Sequence, residues 1–253
     1  MKIKVCIPSY HRPKVETLDY LPHASVYVSN EELSDYQREN PGADIIGVDP
    51  QYQGNLCRIR NYILDHNPGN IVVILDDDLK YIWYYEDETV HHLNDENEVM
   101  RFLFKYSVMA IDLGVKLWGV NITTDKQAYR EYTPFSLTSY IGGPFQAHID
   151  SDIRYDESLP LKEDYDMTLQ HCNKYRKVLR LNKFFLMVRQ VEQSGGCSTY
   201  RTFEEEKKQL DLLRKKWGSK IVKYDDGVSR SHNTDKTRHI DINPIIRVPI
   251  RGI

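Results

Sequence analysis

The sequence predicts an α/β domain built on a mostly parallel central sheet flanked by helices. Three observations carry this. Ile71 to Leu75 (IVVIL) is apolar at every position, the mark of a central strand covered on both faces. Short β-branched runs alternate with segments of helical period through the first half of the chain. The residues richest in chemistry stand just after those runs, where a parallel sheet places its ligands.

The elements read in order as follows. Lys2 to Pro8 (KIKVCIP) is a strand stopped by proline; Ser25 to Ser29 and Asp44 to Val48 are two more. Gly54 and Asn55 open a helix with Leu56, Ile59 and Ile63 on one face, closed by Pro68 and Gly69. After Ile71 to Leu75, residues Asn97 to Leu113 carry Val99, Phe102, Tyr106, Met109 and Leu113 at helical spacing, with Gly114 as the stop. Val115 to Ile122 is a strand, and residues 123–160 read as irregular. Glu163 to Lys174 is helical and Phe184 to Val191 a strand. Thr202 and Glu205 form a capping box for a helix ending at Trp217 and Gly218. The tail is polar from Asp225 and apolar again from Ile245 to Ile250. The whole, residues 1–253, reads as a single catalytic domain. Residues 1–122 form its ligand-binding half; residues 123–253 hold the acceptor-binding half and the tail.

Composition narrows the class. With 253 residues, 40% apolar and 28% charged, the chain can bury a sizeable core. A net charge of −3 gives no global field to draw nucleic acid or anionic membrane, although Lys174 to Lys183 (KYRKVLRLNK), with Lys207, Lys208, Arg214, Lys215 and Lys216, is a local basic run. Cys6, Cys57, Cys172 and Cys197 form no Cys-x-x-Cys pair and read as free thiols of a reducing compartment. The start MKIKVCIPSY lacks the apolar run of a signal peptide, and no run approaches the roughly 18 residues of a membrane span. The expectation is a cytoplasmic chain with no membrane contact.

Four motifs carry the chemistry. Asp76-Asp77-Asp78 follows the buried strand; three adjacent carboxylates repel unless a cation or donors offset them. A hard cation such as Mn²⁺ or Mg²⁺ takes one or two carboxylates and completes its shell with substrate phosphates. An acidic turn is the plain alternative, but the strand aims the triplet at the ligand crevice. Pro8-Ser9-Tyr10-His11-Arg12-Pro13 offers a hydroxyl, a ring to stack on a base and a guanidinium to pair with phosphate. It lacks the glycines of a dinucleotide or Walker loop. Arg58-Ile59-Arg60-Asn61 puts arginines near a helix start, against the dipole, which makes sense if they reach an anion or the aspartates. A surface ion pair is the competing reading. Lys162-Glu163-Asp164-Tyr165-Asp166 opens a helix whose N-terminus keeps acids ionised, so that one can act as a general base. Acids that merely complement the dipole would look the same. Two weaker features are Ser194-Gly195-Gly196, a hinge or an ordinary turn, and His232, a further metal ligand or a solvated histidine.

Taken in order, the IPSYHRP loop, the RIRN helix, the ILDDDL strand end and the KEDYD helix resemble the GT-A glycosyltransferases over roughly residues 1–220. The resemblance implies a nucleotide-diphospho-sugar donor, most simply a UDP-sugar, held by Pro8, Ser9, Tyr10, Arg12, Arg58, Arg60, Asp76 and Asp77. It implies Asp78 as the direct ligand of Mn²⁺ or Mg²⁺, with Asp76 toward the ribose; Asp76 and, from the residue reading above, His232 are the further candidate metal ligands. It implies Asp164 as the base, with Glu163 as the fallback. More narrowly, IPSYHRP, VYVSNEELSDY, RIRNYIL and ILDDDL look like the TET/JBP-associated glycosyltransferases of bacteriophages. That implies hydroxymethylated pyrimidine in DNA as acceptor and the host cytoplasm as location. The Tyr- and Gly-rich stretch from Thr123 to His148, with Tyr129, Tyr132 and Tyr140, is where an extruded base would stack.

Other classes fit less well. A haloacid-dehalogenase phosphohydrolase carries its aspartates after the first strand, not a later one. A nucleotidyltransferase would show a Gly-rich first loop. A glycosyltransferase acting on a glycan or protein, or a nucleotide-sugar-binding module without catalysis, stays open on sequence.

Overall fold

A computed structural model gives the architecture and describes residues 1–87, 89–123, 129–187, 196–224 and 243–250. Ten strands form one mixed sheet: β1 (Ile3–Pro8), β2 (Ser25–Ser29), β3 (Asp44–Val48), β4 (Ile71–Leu75), β5 (Ile82–Glu86), β6 (Thr89–His92), β7 (Leu117–Asn121), β8 (Phe135–Ser136), β9 (Phe145–Ile149) and β10 (Leu179–Leu186). Their order is β3-β2-β1-β4-β9-β7-β10-β5-β6, with β8 beside β10. β3, β2, β1 and β4 run parallel, as do β7 and β10. β9 is antiparallel to both its neighbours, β4 and β7. The helices are α1 (Leu33–Glu39), α2 (Leu56–Asp65), α3 (Glu96–Asp112), α4 (Glu163–Tyr175) and α5 (Phe203–Trp217). Two short strands, β11 (Val222–Lys223) and β12 (Ile245–Ile246), pair as a separate ribbon.

β4 shows why an unbroken apolar run becomes a central strand. Its side chains alternate. Ile71, Val73 and Leu75 enter one core cluster with Val99, Phe102 and Leu103 of α3. Val72 and Ile74 enter the opposite cluster with Cys57, Ile59 and Ile63 of α2 and Met167 and Cys172 of α4. All five are at most 5% exposed. At about 1.5–3 kcal/mol for each fully buried aliphatic side chain, this strand anchors the domain. A third cluster joins α5 (Leu210, Leu213) to Tyr165 and Leu169 of α4 and to Val222. Cys6, Cys57 and Cys172 are buried and all four cysteines are free.

The α/β class and the first four strands are as expected. The irregular reading of residues 123–160 is corrected, because β8 and β9 lie within it. β9 hides from a periodicity reading because Phe145-Gln-Ala-His-Ile149 carries two polar residues into the core. Gln146 donates to Ile141 O at 3.1 Å and accepts from the Tyr155 hydroxyl, and His148 Nε2 meets that hydroxyl at 3.0 Å. Burial is thus compensated at Gln146 and at His148 Nε2, while His148 Nδ1 is buried without a partner among the described residues. β10 starts at Leu179, ahead of the expected Phe184, and of the expected strand residues Val188 to Val191 lie outside the described ones. Its polar Arg180, Asn182 and Lys183 interrupt the apolar pattern. The short helix α1 and the β5–β6 hairpin are also additions to the sequence reading.

Candidate active site

The parallel strands end on one side of the sheet, and the expected motifs meet there around a cavity of about 460 Å³. Of the expected donor-site residues, Pro8, Ser9, Tyr10, Arg12, Arg60, Asp76 and Asp77 all line it, together with Asp78, Glu163 and Asp164. Arg58 does not. Its exposed guanidinium pairs with Glu157 at 3.0 Å, so for Arg58 the surface-pair reading describes the structure. His232, Ser194 and Gly195 lie outside the described residues.

The three aspartates have different surroundings. Asp77 is turned inward: Ser9 Oγ donates to its Oδ2 at 2.5 Å and Arg12 Nη1 to its Oδ1 at 2.9 Å. It ties the loop after β1 to the end of β4. Arg12, expected to pair with phosphate, is thus engaged by Asp77, and it stands 3.7 Å from Asp78. Thr17, fully buried and not singled out by the sequence, braces the same turn. Its Oγ1 donates to Asp76 O at 2.7 Å and accepts from Leu79 N at 2.8 Å. Asp78 has burial, then Asp76 and Asp77, pushing its carboxyl up to about 6. Burial, partly offset by Arg60, also raises Asp76.

Arg60 is the hub. Although it stands on α2, its guanidinium is 1% exposed and reaches three other segments. It donates to Glu163 Oε1 at 3.1 Å, to Gly143 O at 3.0 Å and to Asp76 Oδ1 at 3.3 Å. Burial opposes its charge, and Tyr155, Glu163 and Asp76 outweigh that. Glu163, at the first turn of α4, is nearly as buried. Burial, then Asp164, push its carboxyl up to about 8 against the pull of Arg60. Asp164 accepts from Gly143 N at 3.0 Å, from Tyr165 N at 2.8 Å and from the Tyr140 hydroxyl. Tyr140, expected to stack on an acceptor base, therefore also holds the carboxylate; Tyr129 and Tyr132 do not line the cavity.

The cavity wall carries five carboxylates (Asp76, Asp77, Asp78, Glu163, Asp164) against three arginines (Arg12, Arg60, Arg201) and no lysine. This surplus of negative charge, with Asp78 driven up by its neighbours, fits a divalent cation. Among the described residues no three His, Cys, Asp or Glu side chains are grouped to hold a metal unaided. A hard cation that shares its shell with substrate phosphates needs only one or two carboxylates, here Asp78 and Asp76.

The segment from Gly196, of which the sequence singled out only Gly196 as part of a hinge or turn, forms a further wall. Gly196 N donates to Tyr10 O at 2.9 Å, and Cys197, Tyr200 and Arg201 face the cavity. Behind it, Lys162 and Glu206 form a wholly buried ion pair between the start of α4 and α5. Gln53, at a strand end but given no role from the sequence, also lines the cavity; it is 8% exposed, and its Nε2 has no hydrogen-bond partner among the described residues. Part of the expected basic run is engaged in ion pairs. Lys174 pairs with Asp152, Lys183 with Glu86, Lys208 with Glu205, and Lys216 with Asp156 and Asp166.

Comparison with known proteins gives one family and a fold likeness. Residues 4–196 match the family model described as TET-Associated Glycosyltransferase. No curated protein matches the chain. Two crystal structures of S. aureus TarS are similar in fold. One, of residues 1–349, has a TM-score of 0.44 at 11% identity, over 94% of this chain and 77% of that one. The other has a TM-score of 0.46 at 14% identity, over 85% of this chain and 39% of that one. No residue role is carried over from either.

Proposed function

The chain belongs to the TET-associated glycosyltransferase family and is a glycosyltransferase; from that premise we propose that it uses a UDP-sugar, a divalent cation and a carboxylate base to glycosylate hydroxymethylated pyrimidine in DNA. The observation that carries the reading is the meeting of Asp76, Asp78, Glu163 and Asp164 around one cavity at the strand ends. Asp78, with Asp76, would hold Mn²⁺ or Mg²⁺. The ion, when bound, supplies positive charge against that developing on the leaving diphosphate.

The protein's own residues divide the remaining work. Tyr10 and the Pro8-Ser9 turn form the wall against which the nucleotide lies, and Gln53 offers an unpaired amide donor beside it. Arg60 fixes Asp76 and Glu163 relative to each other through a single guanidinium. Asp164 takes the proton of the acceptor hydroxyl. Its hydrogen bonds from Gly143 and Tyr165 fix its orientation in the site. Glu163, raised to about 8 and bound to Arg60, serves the site by geometry.

The DNA acceptor rests on the family, not on surface charge, since several lysines of the basic run are paired. The test offers hydroxymethylcytosine DNA, unmodified DNA and free sugars side by side with a panel of UDP-sugars, with and without Mn²⁺. Metal-dependent transfer to hydroxymethylated DNA alone, weakening as salt rises, is expected. Transfer to free sugars and never to DNA would overturn the acceptor and leave the enzyme class standing.

A further inference from the structure

Asp164 is held more tightly than a proton acceptor requires, and the way it is held distinguishes its two oxygens. Oδ2 accepts twice, from Gly143 N at 3.0 Å and from the Tyr140 hydroxyl. Oδ1 accepts once, from Tyr165 N at 2.8 Å. A carboxylate offers about two lone-pair sites on each oxygen. Among the described residues Oδ2 is therefore full, and Oδ1 keeps one site.

The surroundings are built around this arrangement. The Tyr140 ring lies on the Tyr165 ring, centroids 4.2 Å apart and planes 13° from parallel. Tyr165 in turn donates its hydroxyl to Asn243 Oδ1 at 3.2 Å. The Tyr140 hydroxyl thus cannot swing away without unstacking the pair. Burial, then the charge of Asp164, push that hydroxyl well above its ordinary range, so it stays a donor. Gly143 is shaped to the same end. A Cβ there would come within 3.2 Å of Glu163 Oε1, 3.3 Å of Asp164 Oδ2 and 3.4 Å of an Arg60 nitrogen, so any larger residue would press on all three side chains.

We propose that Tyr140 is a positioning residue of the transfer reaction: by filling Oδ2 it directs the remaining lone pair of Asp164 Oδ1 at the acceptor. This rests on the reading of Asp164 as the base. In the step, the acceptor O–H bond breaks and its proton passes to Oδ1. The freed electron pair forms the bond to the anomeric carbon, and the bond from that carbon to the diphosphate breaks with its pair on the leaving oxygen. Tyr140 keeps its own proton throughout. Without its hydroxyl, Oδ2 would have an open site and the carboxylate two competing faces.

Tyr140→Phe keeps the stack on Tyr165 and removes only the hydroxyl. The experiment measures UDP release from whichever UDP-sugar the wild type turns over fastest, in the presence and absence of hydroxymethylcytosine DNA. It compares the wild type, Tyr140→Phe, Asp164→Asn and the double variant, with melting curves on the same preparations. A hydrogen bond to a charged group is worth about ten- to a hundredfold in rate. The expected result is a kcat loss of that size, a donor KM within about twofold of wild type, and no further loss from Tyr140→Phe in the Asp164→Asn background. Unchanged kcat overturns the inference. So does a loss expressed in donor KM, an equal loss without the Asp164 carboxylate, or a variant that melts below the assay temperature. A wild type that releases UDP from no donor would instead strike the proposed function, and this inference with it.

Discussion

Removing the Arg60 guanidinium should destabilise the protein in a pH-dependent way. Arg60→Met keeps much of the side-chain volume on α2 and deletes the contacts to Glu163 at 3.1 Å, Gly143 O at 3.0 Å and Asp76 at 3.3 Å. Breaking a buried ion pair by removing one partner costs about 3–5 kcal/mol, because the other charge is left uncompensated. Only Glu163 counts fully here; the Asp76 side chain is 35% exposed, and water screens it. In a domain of this size, about 3 kcal/mol lowers Tm by roughly 6–12 °C. The sign follows from Glu163. Its folded carboxyl is raised from the usual 4.5 to about 8, so its stabilising contribution is full below 4.5 and is lost as pH rises through about 8. Arg60 resists that loss by favouring the ionised form. The Arg60→Met deficit should therefore be largest near pH 8.5 and clearly smaller near pH 5.5, where Glu163 is protonated. Urea melts at both pH values measure it. Adding Glu163→Gln should recover part of the deficit at pH 8.5. Equal deficits at the two pH values, or none at pH 8.5, would refute the assignment of Arg60 as the counter-charge of Glu163.

Two further outcomes follow from the same geometry. Asp164→Asn should lose about 10²- to 10⁴-fold in turnover while keeping UDP affinity; wild-type turnover there, with Glu163→Gln inactive, would reverse the two roles. His171 is fully buried, with Ser151 Oγ 2.9 Å from Nε2 and Met167 O 2.9 Å from Nδ1, and burial lowers its pKa from 6.5 to about 4. Its contribution is full above 6.5 and is lost as pH falls through about 4, about 3 kcal/mol in all. His171→Gln should flatten the stability profile across that window, and an unchanged slope in denaturant melts would show that this group is not responsible.

The sequence was most legible where one physical rule acted alone. Ile71 to Leu75 had to be a central strand, and the aspartates after it had to face the ligand side of the sheet. The Lys162 to Asp166 motif opened its helix where expected, and Arg60 did reach the aspartates. Reading failed where long-range partners rewrote the local signal. Gln146 and His148 look like loop residues until Tyr155 meets them inside the core. Asp77 looks like its neighbours until Ser9 and Arg12, more than 60 residues away, turn it inward. Arg58 and Arg60 are two residues apart and chemically identical, yet one faces Glu157 on the surface and the other lies buried among the carboxylates. Helical spacing separates them, since Arg60 falls on the buried face of Leu56, Ile59 and Ile63 and Arg58 on the opposite one; Gly143 and α4 then supply the partners of Arg60. The partners of the basic run were equally illegible, because Asp152, Glu86 and Asp156 come from other segments.

The account turns on Asp78, whose carboxyl is pushed up to about 6 by burial and then by Asp76 and Asp77. Calorimetry of UDP binding, with and without Mn²⁺, in the wild type and in Asp78→Asn tests it most directly. The account predicts tight UDP binding by the wild type only when Mn²⁺ is present, and none of that metal-dependent gain in the variant. Equal UDP affinity in the two proteins at saturating Mn²⁺ would contradict it.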